Sequence, residues 1–317
     1  MLSLGKLLEL TLADREPAQK TQMTPGGTRV RWLACGALEV TPAPQHDSGL
    51  DVLLSAGVHG NDVAPIEALD ELVHAIARGT LLPRARLLFL FGNPAAIRAG
   101  VRYRQQSLNS LFNGRHELSS GEEAMRACEL ERLAASFFSA SAERVGLHYD
   151  LYSSGRGSLL EPFALCAAPA GLAEPERQHL AYLGMAAVLV QGQPGCSFTG
   201  YTGERLGAMA YSLEFSREAS VQRLLRDVAR VIETGEVAID EAGAGALKAF
   251  RASQDITPRT EDFRLRLAEG LANFTELARG TLLAVDGSHT RWLVEQDHAR
   301  IVFAQAAGGA GWVVVPA

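Results

Sequence analysis

The sequence is poor in cysteine, in long apolar runs and in positive charge, and each shortage excludes a class of protein. Four cysteines occur in 317 residues, and no two of them form a Cys-x-x-Cys pair. They are Cys35, Cys128, Cys166 and Cys196. Thiols so few and so widely spaced exclude a disulfide framework and suit reduced cysteines in a cytosol.

No continuous apolar core marks the N-terminus as a signal peptide or any other stretch as a membrane span. The opening residues MLSLGKLLELTLADRE contain several leucines, but acidic residues interrupt them within a few positions. No small-residue cleavage site follows. We therefore expect a cytoplasmic protein without a membrane partner.

Basic residues do not exceed acidic ones. The chain carries 30 Lys and Arg against 36 Asp and Glu, a formal net charge of -6, and the basic residues are scattered. A nucleic-acid binder normally carries a basic patch, so we expect no nucleic-acid partner. The expected partner is a small molecule, and the sequence does not indicate an oligomeric state.

The chain is long and apolar enough to bury a large core. Hydrophobic residues make up 47% of it, which allows one large domain plus a smaller one. We expect an N-terminal lead-in with edge strands over residues 1–49, an α/β domain of the catalytic type over 50–243, and a β-rich domain over 244–317.

Apolar strands alternate with helices between residues 50 and 243, which predicts an α/β sheet covered on both faces. The predicted strands are Val52–Ala56, Arg86–Phe91, Val145–Tyr152, Phe163–Ala167, Ala186–Gln191 and Ala208–Phe215. The predicted helices lie near Pro65–Arg78, Ser120–Ala140 with a serine cap, Glu174–Leu183 and Val221–Glu236. Later short strands such as Gly280–Val285 and Gly311–Val315 resemble the N-terminal segments Thr28–Ala34 and Ala37–Thr41.

Polar side chains gather in the stretch Leu53–Glu67, LLSAGVHGNDVAPIE, where a strand gives way to a helix. Such junctions are where open α/β sheets place their sites. The spacing of His59 and Asp62 lets an imidazole and a carboxylate from one turn reach a single cation. A hydrogen-bonded loop pair is the alternative, and the spacing alone does not decide between them.

Five polar motifs follow one another along the chain. They are GVHGND, NPAAIRAGVRY, SLNSLFNGRH, HYDLYSSGRGS and YTGERLGAMAYSLE. In this order, and with the C-terminal segment EDFRLRLAEGLANFTELARGTLLA, nearly the whole chain resembles the succinylglutamate desuccinylase and aspartoacylase family of zinc amidohydrolases. The resemblance implies a zinc-carboxypeptidase-like mixed α/β sheet covered by helices. It also implies a smaller β-rich domain, which we expect to combine the C-terminal segment with the N-terminal strands.

The resemblance further implies a reaction, the zinc-dependent hydrolysis of N-succinyl-L-glutamate in the arginine succinyltransferase pathway of arginine catabolism. A bound zinc ion lowers the pKa of a water molecule and polarises the amide carbonyl of an anionic N-acyl amino acid. Carried over by position, the zinc ligands are His59, Asp62 and Tyr152. The general base is Glu214, the carbonyl-polarising cation is Arg102, and the other substrate contacts are Asn109 and Arg156.

Several positions depart from the family's pattern. Asp62 replaces a longer glutamate, and Tyr152 replaces a histidine by a phenol, which is a poor zinc ligand. Ser107 and Ser110 stand where the family has Asp and Arg, and Gly200 stands where it has His. Two functions stay open: a zinc-dependent desuccinylase, or a family member with an impaired metal site, inactive or repurposed as a small-molecule binding protein.

Neighbouring residues offer no simple replacement ligand. Positions 148, 150 and 152 face the same side of a strand, but His148 would lie roughly 13 Å from position 152 at about 3.3 Å per residue. Asp150 is nearer, and two roles stay open for it, a replacement ligand or a group that orients a neighbour; we expect the second. Cys166 and Cys196 have no adjacent base, which argues against nucleophilic catalysis. The glycine-rich stretch Gly192–Gly203 lacks the spacing of a nucleotide-binding loop.

Overall fold

The computed structural model describes residues 3–139, 143–153, 155–168, 170–192, 195–256, 258–268, 270–287, 290–303 and 311–317. Its helices are α1 (Leu7–Leu12), α2 (Val63–Arg78), α3 (Pro94–Ala99), α4 (Glu122–Phe138), α5 (Glu174–Tyr182), α6 (Phe198–Leu206) and α7 (Glu218–Thr234). Its first nine strands are β1 (Thr21–Met23), β2 (Arg29–Ala34), β3 (Ala37–Thr41), β4 (Leu50–Ala56), β5 (Arg86–Phe91), β6 (Val145–Ser153), β7 (Phe163–Ala167), β8 (Ala187–Gln191) and β9 (Met209–Phe215). The later strands are β10 (Lys248–Ile256), β11 (Arg264–Leu265), β12 (Thr275–Glu276), β13 (Leu282–Asp286), β14 (Thr290–Leu293), β15 (Arg300–Val302) and β16 (Gly311–Pro316). None of these helices is both long and apolar enough to cross a membrane.

Thirteen strands form one mixed sheet in the order β1-β2-β3-β5-β4-β6-β9-β7-β8-β10-β16-β15-β12. Its centre is parallel, from β5 through β4 and β6 to β9. The strands β1, β2 and β3 form one antiparallel edge, as predicted. The C-terminal strands form the opposite edge, so the prediction that the N-terminal strands join them is wrong. The physical reason is that β3 pairs with β5 and buries Leu38 and Val40 in the main core.

Helices cover both faces of this sheet, which explains why its central strands are mostly apolar. All seven residues of β4 are buried. On one face, Leu69 of α2 and Val228 of α7 belong to the same buried cluster as Phe89 of β5. On the other face, Leu130 of α4 belongs to a cluster with Leu53 of β4. The mixed α/β fold with two covered faces, predicted from the sequence, is confirmed.

The C-terminal segment is rich in short strands, as predicted. The strands β11, β13 and β14 form a separate antiparallel sheet. It contributes Leu283 to a small core that also contains Ile256 and Val313 from β10 and β16. Because β10 pairs with β8 in parallel, this small core adjoins the edge of the large sheet.

The start of α4 differs from the serine-capped helix that the sequence predicts. Its N-cap is Gly121 with φ of 103°, a conformation that favours glycine, and no side chain caps the helix. Glu122 and Glu123 occupy the first turn, where negative charge is favourable beside the helix dipole. The helix ends at Phe138, and the predicted last residue, Ala140, lies outside the described residues.

The glycine-rich stretch contains a helix that the sequence does not predict. The helix α6 begins after Ser197, whose side chain accepts a hydrogen bond from the backbone N–H of Gly200. Phe198 and Thr202 are fully buried. Burial against β6, β9 and α4 therefore stabilises a helix whose glycines give it low intrinsic propensity.

The loop after β4 packs directly on α3 at Gly60. A Cβ atom at this position would lie 2.2 Å from the carbonyl carbon of Ala96 and 2.4 Å from the backbone nitrogen of Ile97. We expect Gly60→Ala to lower the free energy of unfolding by about 1–3 kcal/mol, because backbone atoms cannot move aside as a side chain can. Urea unfolding measures this change. Gly245→Ala is the control, since nothing lies within 4 Å of its added Cβ; equal losses would contradict the prediction.

Candidate active site

The central parallel strands β4, β6 and β9 bring polar side chains from distant parts of the chain to the edge of the sheet that their carboxyl ends form. His59 and Asp62 follow β4, and Tyr152 lies near the end of β6. Glu214 lies near the end of β9, directly opposite Tyr152 in the register of the two strands. Asp62 Oδ2 accepts a hydrogen bond from the backbone N–H of Ser153, at 3.4 Å. The predicted ligand positions and the predicted base therefore lie at the same edge.

Arg102 contacts His59 directly. Its Nη2 lies 2.9 Å from His59 Nε2, and the backbone N–H of Gly60 donates to the Arg102 carbonyl oxygen at 3.2 Å. A guanidinium only donates hydrogen bonds, so Nε2 accepts and the proton of the neutral ring lies on Nδ1. Burial, and then the charge of Arg102, lowers the pKa of His59 to about 3. His59 is therefore a neutral imidazole whose Nδ1 has no hydrogen-bond partner among the described residues.

Tyr152 is hydrogen-bonded to Asp150 instead of pointing its hydroxyl at His59. The hydroxyl donates to Asp150 Oδ2 at 2.5 Å, while the ring lies beside the His59 ring with centroids 5.5 Å apart. Burial, and then the charge of Asp150, raises the pKa of the Tyr152 phenol well above its usual range. Burial also raises the pKa of Asp150 to about 7, against the opposing effect of its hydrogen bonds from Ser55 and Tyr152. The Tyr152 oxygen is thus a neutral hydroxyl.

A fully buried chain of hydrogen bonds continues from Asp150 into the protein. Ser55 Oγ donates to Asp150 Oδ1 at 2.6 Å and lies 2.8 Å from His148 Nε2. His148 Nδ1 lies 2.7 Å from Thr202 Oγ1 in α6. Since Ser55 donates its proton to Asp150, His148 Nε2 donates to Ser55 and Nδ1 accepts from Thr202. Every group in this chain has a partner, so the network holds Asp150 in one position.

Glu214 is a carboxyl group in a strongly perturbed environment. Burial raises its pKa to about 8, with a further rise from the charges of Asp62 and Asp150 and an opposing effect from Arg102. The pKa of Asp62 is raised as well, chiefly by burial and against hydrogen bonds from Ser153. A carboxyl group with a pKa near neutrality can hold or release a proton at the pH of a cell.

The donors at this edge do not fit the three-ligand zinc site that the sequence resemblance implies. Such a site needs three deprotonated nitrogen, sulfur or carboxylate donors around one point. His59 carries its proton on the ring nitrogen that is not bound to Arg102, and Tyr152 is a neutral phenol engaged with Asp150. Across the described ranges, no group of three or more His, Cys, Asp or Glu side chains is placed to hold a metal ion.

Two predicted substrate contacts have structural partners. Asn109 Oδ1 accepts a hydrogen bond from the backbone N–H of Phe198 at 3.3 Å, which ties its loop to the start of α6. Arg156 Nη1 donates to the carbonyl oxygen of Leu271 at 3.4 Å, in the C-terminal segment. Their roles with substrate stay predictions.

Sequence reasoning missed Ser55 and Thr202 as parts of this site. The signal for Ser55 was a single hydroxyl in the otherwise apolar end of β4, LLSA. A polar side chain at a buried strand position needs a hydrogen-bond partner. Asp150 of β6 is paired with Ser55 in the strand register, and His148 lies two residues earlier on the same strand. No local signal identifies Thr202, because its partner is 54 positions away in the chain.

Comparison with known proteins matches both parts of the chain. Residues 48–236 match the succinylglutamate desuccinylase/aspartoacylase catalytic domain, and residues 245–311 match the AstE/AspA barrel-sandwich hybrid domain. The chain is 52% identical to the succinylglutamate desuccinylase of Pseudomonas syringae pv. tomato, over all of this chain and 98% of that protein. It is 51% identical to that of Pseudomonas aeruginosa UCBPP-PA14, over all of this chain and 99% of that protein.

Solved structures of succinylglutamate desuccinylases are similar to this chain over nearly its full length. The crystal structure of the succinylglutamate desuccinylase from Chromobacterium violaceum has a TM-score of 0.84 and 34% identity, covering 99% of this chain and 98% of that one. A second, from Vibrio parahaemolyticus, is 24% identical with a TM-score of 0.86 over 98% of this chain and 94% of that one, and supports the fold alone. The chain belongs to the succinylglutamate desuccinylase/aspartoacylase family.

Proposed function

We propose that this protein is a cytoplasmic amidohydrolase that cleaves N-succinyl-L-glutamate to succinate and L-glutamate, in the arginine succinyltransferase pathway of arginine catabolism. The observation that carries the proposal is the 52% identity, along the full chain, to a relative named succinylglutamate desuccinylase. The arrangement of Arg102 and Glu214 beside His59 and Asp62 supports it, since it places a cation and a proton carrier at one edge of the sheet.

The reaction breaks the amide bond between the succinyl carbonyl carbon and the glutamate nitrogen. The oxygen of a water molecule adds to that carbon, and one of its protons passes to the leaving nitrogen. Glu214, with its pKa raised to about 8, is suited to take and return that proton at the pH of a cell. Arg102 supplies a positive charge for the oxyanion that develops on the carbonyl oxygen.

The substrate's charge matches the cations near this edge. N-succinyl-L-glutamate carries three carboxylates, and arginine binds carboxylates with paired hydrogen bonds. We assign Arg156 and Asn109 to substrate contacts, as their motif positions imply. In the free protein Arg156 Nη1 donates to the Leu271 carbonyl oxygen, and Asn109 Oδ1 accepts from the Phe198 N–H.

Zinc is the cofactor that family membership suggests for this reaction. When bound in such a site, it lowers the pKa of a water molecule and polarises the carbonyl group. Because the donors present do not fit it, the proton transfer and charge stabilisation above are assigned to Glu214 and Arg102 alone. The hydrogen bond from Tyr152 to Asp150 keeps the phenol from acting as a third zinc ligand. A site without zinc favours a second candidate function, the binding of N-succinyl-L-glutamate without hydrolysis.

A comparison of three substrates tests the proposal. We expect kcat/KM for N-succinyl-L-glutamate to exceed that for N-acetyl-L-glutamate and for N-succinyl-L-alanine by at least about tenfold each. Each analogue lacks one carboxylate, and a hydrogen bond to a charged group contributes about 1.5–3 kcal/mol. Release of free amino acid is measured by chromatography, with and without added zinc. Preference for the acetyl compound would contradict the succinyl assignment, and binding without turnover would establish the second candidate.

A further inference from the structure

We infer that the Tyr152 side chain, held by Asp150, occupies the place of a third zinc ligand, so that this chain binds zinc weakly and the single change Tyr152→His creates a tight site. The inference rests on the proposed function, because it concerns the zinc ion that family membership suggests for that hydrolysis. It is specific to this chain, since it follows from contacts between its own residues.

The Tyr152 ring is buried beside the His59 ring. The side chain is only 4% exposed, and its ring lies 5.5 Å from the His59 ring at an interplanar angle of 58°. The phenol therefore fills the space beside the imidazole. Its hydroxyl is turned to Asp150 Oδ2, 2.5 Å away, and a protonated phenol is a poor ligand for zinc.

Asp150 cannot turn to a cation in place of Tyr152. Both of its carboxylate oxygens already accept hydrogen bonds, Oδ1 from Ser55 and Oδ2 from Tyr152. Ser55 is itself held by His148, and the three side chains of Ser55, His148 and Asp150 are fully buried. Turning Asp150 would leave buried hydroxyl groups without acceptors, which is unfavourable in a dry interior.

Arg102 competes with a cation for His59. Its guanidinium lies 2.9 Å from His59 Nε2, so a cation bound by His59 would be repelled by a positive charge close by. The same hydrogen bond places the ring proton on Nδ1, the nitrogen without a partner. Of the expected ligands, Asp62 alone is a donor of the usual kind without a competing cation bonded to it.

A histidine at position 152 removes the largest of these obstacles. It supplies a neutral ring nitrogen, which zinc prefers to a phenol. It also releases Asp150 Oδ2 from the phenol, leaving a carboxylate that can accept the other ring N–H, an arrangement common around zinc-bound histidines. With two imidazoles and Asp62 available as ligands, the free energy of zinc binding can offset the loss of the hydrogen bond between Arg102 and His59.

Zinc binding is measured directly on the full-length chain, without substrate. Purified wild type, Tyr152→His, Tyr152→Phe and Tyr201→His are incubated with zinc, desalted and analysed for metal, and zinc affinity is determined by calorimetry. Tyr152→Phe removes the hydroxyl without adding a ligand. Tyr201→His adds the same imidazole on α6, where the native hydroxyl contacts the Glu131 carbonyl oxygen. We expect only Tyr152→His to retain about one zinc per chain, with affinity raised at least about 100-fold, since even partners of zinc ligands contribute 10- to 100-fold.

Retention of about one zinc per chain by the wild type would overturn the inference, and this arm needs no variant to fold. So would a Tyr152→His protein, folded by circular dichroism, whose zinc affinity does not exceed that of Tyr201→His. The proposed function is tested separately, on the wild-type protein. Calorimetry with N-succinyl-L-glutamate in a chelator measures substrate binding without zinc, and wild-type protein that binds this compound without cleaving it, with or without added zinc, would contradict the hydrolysis.

Discussion

Glu214→Gln is expected to lower kcat for N-succinyl-L-glutamate by about 10²- to 10⁴-fold, the usual contribution of a positioned acid or base. Glutamine keeps the size of the side chain but cannot carry the proton from water to the leaving nitrogen. KM is expected to change little, because the variant keeps Arg102, Arg156 and Asn109. Steady-state kinetics of amino acid release measures both constants.

The same substitution is not expected to weaken the fold. Burial raises the pKa of Glu214 from 4.5 to about 8 in the folded chain, so the folded state holds this proton more tightly than the unfolded state. A group of this kind costs stability as the pH rises from its unfolded to its folded pKa. Glutamine has no such cost, and the variant should be at least as stable as wild type at neutral pH.

Glu241→Gln is the matched control for Glu214→Gln, since Glu241 is exposed on the surface and should leave kcat unchanged. If Glu214→Gln lost less than about tenfold in kcat, a value below the range for such catalysis, Glu214 would not be the proton carrier. A large fall in melting temperature would assign Glu214 a structural role instead.

Asp51→Ala should lower the free energy of unfolding by about 3–5 kcal/mol, as expected when a buried ion pair loses one partner. Asp51 lies in β4 and is 1% exposed. Its Oδ2 accepts from Arg86 Nη2 at 2.6 Å, and its Oδ1 accepts from Arg144 Nε at 2.5 Å. Alanine would leave two mostly buried guanidinium groups without this carboxylate.

Urea unfolding with linear extrapolation measures this loss. Glu9→Ala is the control, because the pair between Lys6 and Glu9 is exposed and should contribute about 0–1 kcal/mol. Asp51 lies at the other end of β4 from His59, so the folded fraction of the variant should keep the wild-type kcat. A loss no larger than that of Glu9→Ala would contradict the prediction and show that water or other partners, such as Asp47 for Arg144, compensate the two guanidinium groups.

The elements that could be predicted from the sequence are those whose signal is local. The strand Arg86–Phe91 has the predicted bounds because an apolar run between polar and turn residues is typical of a buried strand. The strand β7 is also at its predicted position, Phe163–Ala167. The helix α6 could not be predicted, since its stability comes from burial of Phe198 and Thr202 against other elements.

The placement of the N-terminal strands shows the limit of pattern reasoning over distance. Alternation in the sequence indicates that β2 and β3 are antiparallel strands, and this is confirmed. It does not indicate which strand they join, because pairing depends on contacts between segments far apart in the chain. The pairing of β3 with β5 places them at the opposite edge from the C-terminal strands.

The sequence by itself determined the family, the α/β sheet and the edge of that sheet where His59, Asp62, Tyr152 and Glu214 lie, because motif order and strand periodicity are written along the chain. Only the tertiary structure decided which side chains touch there. The bond of Tyr152 to Asp150 and that of Arg102 to His59 depend on rotamers and burial set by packing across β4, β6 and the loop before α4. The protonation of these groups, and with it their affinity for a metal, follows from those contacts.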